Sequence, residues 1–297
     1  MSHIHIRQMM GAEGNYAGRS WFYHFRHIPI NCEEAEVEKT CQALLQDMAP
    51  ITKDWNEAKN SEWIVRVYFA AKMILSSSVM AQSLEFAQKT NLRVVNSYLD
   101  YYTVLNCLRA IILTNPHVAW SNGELLKTTH TKTINVAVSI LSRFNKEVAQ
   151  RVNHHVAHLK AFRELISYRA PSNGDGFPKA EIDVINSCRF FAEIAQMQSE
   201  LFEVSVRKNV KGKFALTDDA ISQICNVEID DFDFFDEADC YRLGYLQRKY
   251  SIPTNMLHVM SEGHVEDFFG SWVSDDESTG DDQFDPDGNW RILFDVP

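Results

Sequence analysis

Long apolar runs are missing from this chain. None approaches the roughly 18 residues that cross a bilayer as a helix, and the segment 104–113 is interrupted by Asn106 and Arg109. The first seven residues lack the charged-then-apolar order of a secretion signal. The expectation is a cytoplasmic chain with no membrane contact. Cysteines are few and scattered (Cys32, Cys41, Cys107, Cys188, Cys225 and Cys240), with no CxxC pair. That argues against a disulfide framework and for reduced thiols buried as small hydrophobes. A glycine-rich phosphate loop, a nucleophile elbow and a dinucleotide fingerprint are all absent, which argues against nucleotide-hydrolysing and serine-hydrolase chemistry. Internal repeats are absent as well.

What is present is ordinary for a globular protein: 297 residues, 45% hydrophobic and 23% charged. The charge is uneven. Residues 227–297 hold 18 acids against 4 Lys/Arg, a net −14, whereas residues 1–226 hold 22 acids and 25 bases, a net +3. A mildly basic body can accept a polyanion, and the acidic end would repel one. The acidic end therefore reads as a solubilising tail, as a competitor of RNA for the body, or as a dock for a basic protein partner.

Apolar residues recur at threes and fours through most of the body. Asn31 and Glu34 have the spacing of a capping box, and Pro50 should end the helix that follows. A long helix is expected over 61–89, with Ser76, Ser77 and Ser78 marking a bend or a close helix contact. Asn91 should cap the next helix. Further helices are expected over 128–144, 145–168, 179–208, 217–225, 238–250 and 258–273, with a loop at 171–178. The fold class is therefore all-α: an antiparallel helical bundle with a small irregular acidic C-terminal part. Its expected divisions are an arm (1–30), a bundle (31–170), a long and a short helix packed on it (179–226) and the acidic segment (227–297). Residues 290–296 could dock as a short strand.

Three stretches between residues 96 and 171 carry a further pattern. Residues 97–112 are aromatic and apolar, with Tyr98, Tyr101 and Tyr102. Residues 128–132 place His130 among threonines. Residues 159–171 close a helix with Arg163, Tyr168 and Arg169 before Pro171. Together they resemble a HEPN domain (higher eukaryotes and prokaryotes nucleotide-binding) over about a quarter of the chain. The resemblance implies a small helical bundle, a homodimer, RNA as partner, no cofactor and a metal-independent endoribonuclease of a prokaryotic toxin or antiviral system. The family's signature is an Arg followed a few residues later by His.

RNA cleavage through the 2′-hydroxyl needs a proton acceptor near neutral pH, which suits His, and a fixed cation against the phosphate, which suits Arg. Two pairs qualify as catalytic candidates. Arg151 and His158 lie seven residues apart on one helix face, with Asn153, His154 and His155 nearby as substrate-binding candidates. Arg163 and Tyr168, with Arg169, sit where the family motif should end. Tyrosine, with an unperturbed pKa of about 10, is a poor base at pH 7, so that alignment implies a kept fold and a lost nuclease. The alternative function is then a non-catalytic interaction or regulatory subunit. His154 and His158 also have the i, i+4 spacing of a metal pair, but the zincin glutamate is missing and no metal is expected. Residues 285–289 hint at a calcium loop that fails where Phe294 replaces the required glutamate.

Overall fold

A computed structural model describes residues 15–16, 19–20, 23–176, 182–249, 255–274 and 283–295. Among these residues the chain is all-α apart from two small antiparallel ribbons. In chain order the elements are β1 (Asn15–Tyr16), β2 (Arg19–Ser20), α1 (Ile28–Asn31), α2 (Glu34–Lys53), α3 (Glu57–Lys89), α4 (Arg93–Leu113), α5 (His130–Leu141) and α6 (Lys146–Arg169). There follow α7 (Val184–Asn209), α8 (Asp218–Cys225), β3 (Asn226–Ile229), β4 (Phe232–Phe235), α9 (Glu237–Lys249), α10 (Met256–Val259), α11 (Glu262–Gly270) and a 3-10 turn (Pro286–Asn289).

Side-chain caps open many of the helices by accepting free backbone N–H groups. Asn145 accepts from Glu147 N at 2.9 Å and Val148 N at 3.0 Å, and Thr217 accepts from Ala220 N at 3.3 Å. Three punctuation marks act differently from their sequence reading. Asn31 ends α1 and donates to the His27 carbonyl at 2.8 Å, so no capping box forms with Glu34. Pro50 lies inside the last turn of α2, which continues to Lys53. Asn91, at φ 60°, closes α3 in the left-handed region rather than capping α4.

Among the described residues the helix pair α3–α4 forms the most extensive packing, and α4 also touches α5, α6 and α7. The serine run lets α3 approach closely: Ser77 donates to the Thr103 carbonyl at 2.9 Å, and Asn106 donates to Ser76 at 3.3 Å. Part of α3 is long and apolar enough to cross a membrane by composition, and 67% of that window is buried inside the fold.

Sequence periodicity shows one apolar face on α7, yet every residue of 190–206 is buried. Its polar side chains survive burial because each finds a partner. Glu193 accepts from the backbone N–H groups of Arg26, His27 and Ile28 at 2.7–2.8 Å, which caps α1. Gln196 accepts from Leu257 N and Ser199 from Met256 N, both at 3.0 Å, which fixes α10. The region expected at 258–273 as one helix is split into α10 and α11 at Ser261.

One continuous core runs from Tyr23 to Phe294, so the 171–176 loop divides the sequence but not the packing. The C-terminal end joins that core through bends rather than a strand. Ile292, Leu293 and Phe294 are buried, Arg189 donates to the Ile292 carbonyl at 2.7 Å, and Phe294 lies 4.5 Å from the Tyr23 ring. Gln82 of α3 holds the 3-10 turn at both ends, donating to Pro286 O and accepting from Asn289 N at 2.9 Å. Val296 and residues 275–282 lie outside the described residues.

Candidate functional site

Helix α6 carries the sequence-predicted site, and its buried stripe sets where each side chain goes. Val148, Val152, Val156 and Leu159 face the core. Arg151, Asn153 and His154 are exposed, and His155 and His158 are half-buried. Arg151 and His158 do share a flank, together with His155. Ring contacts run along the helix, with His154 and His158 4.2 Å apart and His158 stacked on Phe162 at 6.2 Å, and the Arg151 charge also reaches Cys32. Among the described residues, no side chain from another element hydrogen-bonds to Arg151, His154, His155 or His158. Burial, and then Arg151, His154 and His158, lower the His155 pKa. His154 and His158 remain a metal-like pair without a third ligand among the described residues.

Arg163 and Tyr168 do not form a pair. Five residues along a helix is a turn of about 140°. Tyr168 is 75% exposed, whereas the Arg163 side chain is only 13% exposed. Arg169 is exposed at the helix end. At about 100° per residue, Arg163 falls within about 20° of Val152, on the face that meets α4.

There a different constellation forms. The Arg163 guanidinium lies over the Tyr101 ring at 5.3 Å, a cation–π contact. The Tyr101 hydroxyl is 3.1 Å from Nδ1 of His130, the first residue of α5. Tyr102 meets the same imidazole edge-on at 5.8 Å. Ser167 donates to the Tyr98 hydroxyl at 3.2 Å, and Arg109 donates to Asn106 at 3.3 Å. The loop that delivers His130 turns back at Ser121, Asn122 and Gly123, all at positive φ, a conformation that Asn and Gly tolerate best.

Electrostatics set the protonation state of this cluster. Burial, then Arg109, Arg163 and Lys160, hold the His130 imidazole below its ordinary value of 6.5. It is therefore neutral at pH 7, with one ring nitrogen free to accept a proton. Burial raises the Tyr101 pKa against the opposing pull of Arg163. Burial lowers the Arg109 pKa. Glu164 lies beside the cluster, 3.4 Å from Arg163 and 3.9 Å from Lys160.

Sequence reading names His130 only as a mark of the family likeness and does not single out Lys160. Arg109 carried a legible signal, a lone cation in the apolar stretch 104–113. Compared with family models, curated proteins and solved structures, the chain matches none. The HEPN likeness therefore rests on residues 96–171 alone.

Proposed function

We propose that the chain is a cytoplasmic, HEPN-like RNA-binding protein whose RNA site is the face shared by α4, α5 and α6. The supporting observation is the convergence of Arg109, Lys160 and Arg163 around a neutral His130, beside the tyrosine rings. Cations meet phosphate, and the half-buried Tyr98 and Tyr102 rings can stack on unpaired bases, whereas Tyr101 is buried and serves to position His130. Six free thiols suit a reducing compartment. In the catalytic form of the proposal, His130 takes the proton of the 2′-hydroxyl and the 2′-oxygen attacks phosphorus. The 5′-oxygen leaves and takes a proton from water, while Arg163 neutralises the charge on the phosphoryl oxygens. The catalytic pair then becomes Arg163 and His130, and Arg151 and His158 become bystanders on the other flank. A homodimer is part of this reading, and its mass in solution tests it.

The second reading, a non-catalytic interaction subunit, is favoured by the low exposure of Arg163 and by Tyr168 in place of His. One experiment separates them. The purified chain is incubated with total RNA in the presence of a chelator. The first reading expects fragments, lost in His130→Ala and kept in His158→Ala. Loss in His158→Ala alone would move the site to the other flank. RNA retention without fragments supports a binding protein, and neither fragments nor retention supports the second reading.

A further inference from the structure

The ribbon β3–β4 presents an apolar face that the described chain leaves uncovered. Its register pairs Val227 with Phe234 and Ile229 with Phe232. Residues directly opposite in an antiparallel ribbon share a face, so these four side chains lie together. Phe232 is 78% exposed and Ile229 63%. A two-stranded ribbon on its own is marginal in water, and this one is tied down at its base, where Asp236 N donates to the Cys225 carbonyl at 2.8 Å.

Phe234 also lines a cleft of about 450 Å³ between α3, α9 and α11, whose rim includes Tyr241 and Trp272. These two rings are 66% and 62% exposed. The cations inside the cleft are already engaged. Lys72 donates to both oxygens of Asp239 at 2.6 Å, and Arg242 pairs with Asp267 and donates to the Gly263 carbonyl at 2.6 Å. Exposed aromatics gathered around a concavity are the anatomy of a binding hot spot.

Charge selects the occupant. Residues 227–239 hold seven acids and no Lys or Arg, and residues 275–282, which follow Trp272 closely in sequence, hold five acids and no base. That neighbouring stretch therefore matches the patch in sign instead of complementing it. A nucleic acid would be repelled. A second copy would bring the same acids against these in a two-fold contact. We infer that the β3–β4 face and the adjoining cleft dock a partner protein through a short extended segment that alternates Lys or Arg with large aliphatic residues. Running along the ribbon's edge, the segment sets one aliphatic side chain between Phe234, Tyr241 and Trp272, and its cations meet Glu228 and Asp233, which the register places on the ribbon's other face.

The test uses the full chain and fluorescein-labelled peptides of about ten residues, followed by fluorescence anisotropy. The probes alternate Lys with Leu, Lys with Ser, or Glu with Leu. The Lys/Leu peptide is expected to bind, and to bind about tenfold or more weakly to Phe232→Ser/Phe234→Ser and to Trp272→Ser. The Lys/Ser and Glu/Leu peptides are expected to bind weakly at most. Circular dichroism reports whether each variant is folded, and Trp272→Ser tests the cleft independently if the ribbon variant is not. Equal binding to the folded variants overturns the inference, as does equal binding of Lys/Ser or no binding of Lys/Leu. It is also overturned if sedimentation shows a dimer that Phe232→Ser/Phe234→Ser splits, because the occupant is then a second copy.

Discussion

His264 shows how one side chain sets a property of the whole fold. Its ring packs 5.4 Å from Tyr68, and its Nε2 is sealed from solvent with no hydrogen-bond partner among the described residues. Burial, then Arg242 and Lys72, lower its pKa to about 3. The folded value lies below the unfolded value of 6.5, so the unfolded chain takes the proton first as pH falls. The stability tied to this group is therefore complete above about pH 6.5 and is lost progressively down to about pH 3, at about 1.4 kcal/mol per pH unit. His264→Phe keeps a ring against Tyr68 and removes the titration. Urea midpoints at pH 7 and pH 5 should fall less for the variant than for the parent, and equal falls would show that the group is not sealed as described.

Helix ends carry the next level of organisation. Arg66 is buried in α3 and donates to the carbonyls of Leu113 at 2.8 Å and Asn115 at 2.5 Å, closing the C-terminal end of α4. Carbonyls at a helix end need such donors. Arg66→Leu strands them and should cost about 2–4 kcal/mol in chemical denaturation. A cost below about 0.5 kcal/mol would mean that other donors or water serve the carbonyls.

The same scale explains what could be read in advance. The helices from α2 to α9 follow from threefold and fourfold spacing. The full burial of residues 190–206 in α7 was hidden because Glu193, Gln196 and Ser199 look like a solvated face. Their partners lie at the ends of α1 and α10, up to 167 residues away. The site was hidden for the same reason. Spacing along α6 relates Arg151 to His158, but only the packing of α4, α5 and α6 brings Arg163 to Tyr101 and Tyr101 to His130. Asn31, Pro50 and Asn91 misled because each has a second conformational use that local sequence does not distinguish.

The molecule as a whole separates its charge. The proposed RNA face lies in the part with net +3, and the uncovered ribbon lies in the part with net −14. On the proposed RNA face, the three cations Arg109, Lys160 and Arg163 should give a modest salt dependence. A plot of log affinity for single-stranded RNA against log salt is expected to have a slope of about −2, at about 0.7 per contact. A slope near zero would mean that phosphate is not what this face meets. Any cleavage should keep its acid limb below pH 6.5, because His130 must lose its proton to act as a base. Arg109→Gln removes one of the charges that depress its value, so the limb should move up toward 6.5, and an unmoved limb would assign the base to another group.

Among these measurements, RNA affinity in paired variants tests the placement of the site most directly. Arg109→Gln/Lys160→Gln and Arg151→Gln/His158→Gln each remove two basic groups, the first from α4 and the flank of α6 beside it, the second from the other flank of α6. At one low salt concentration the first pair should weaken binding about tenfold or more, while the second leaves it within about twofold. The reverse order, or equal losses in both, would contradict a site built on α4, α5 and α6.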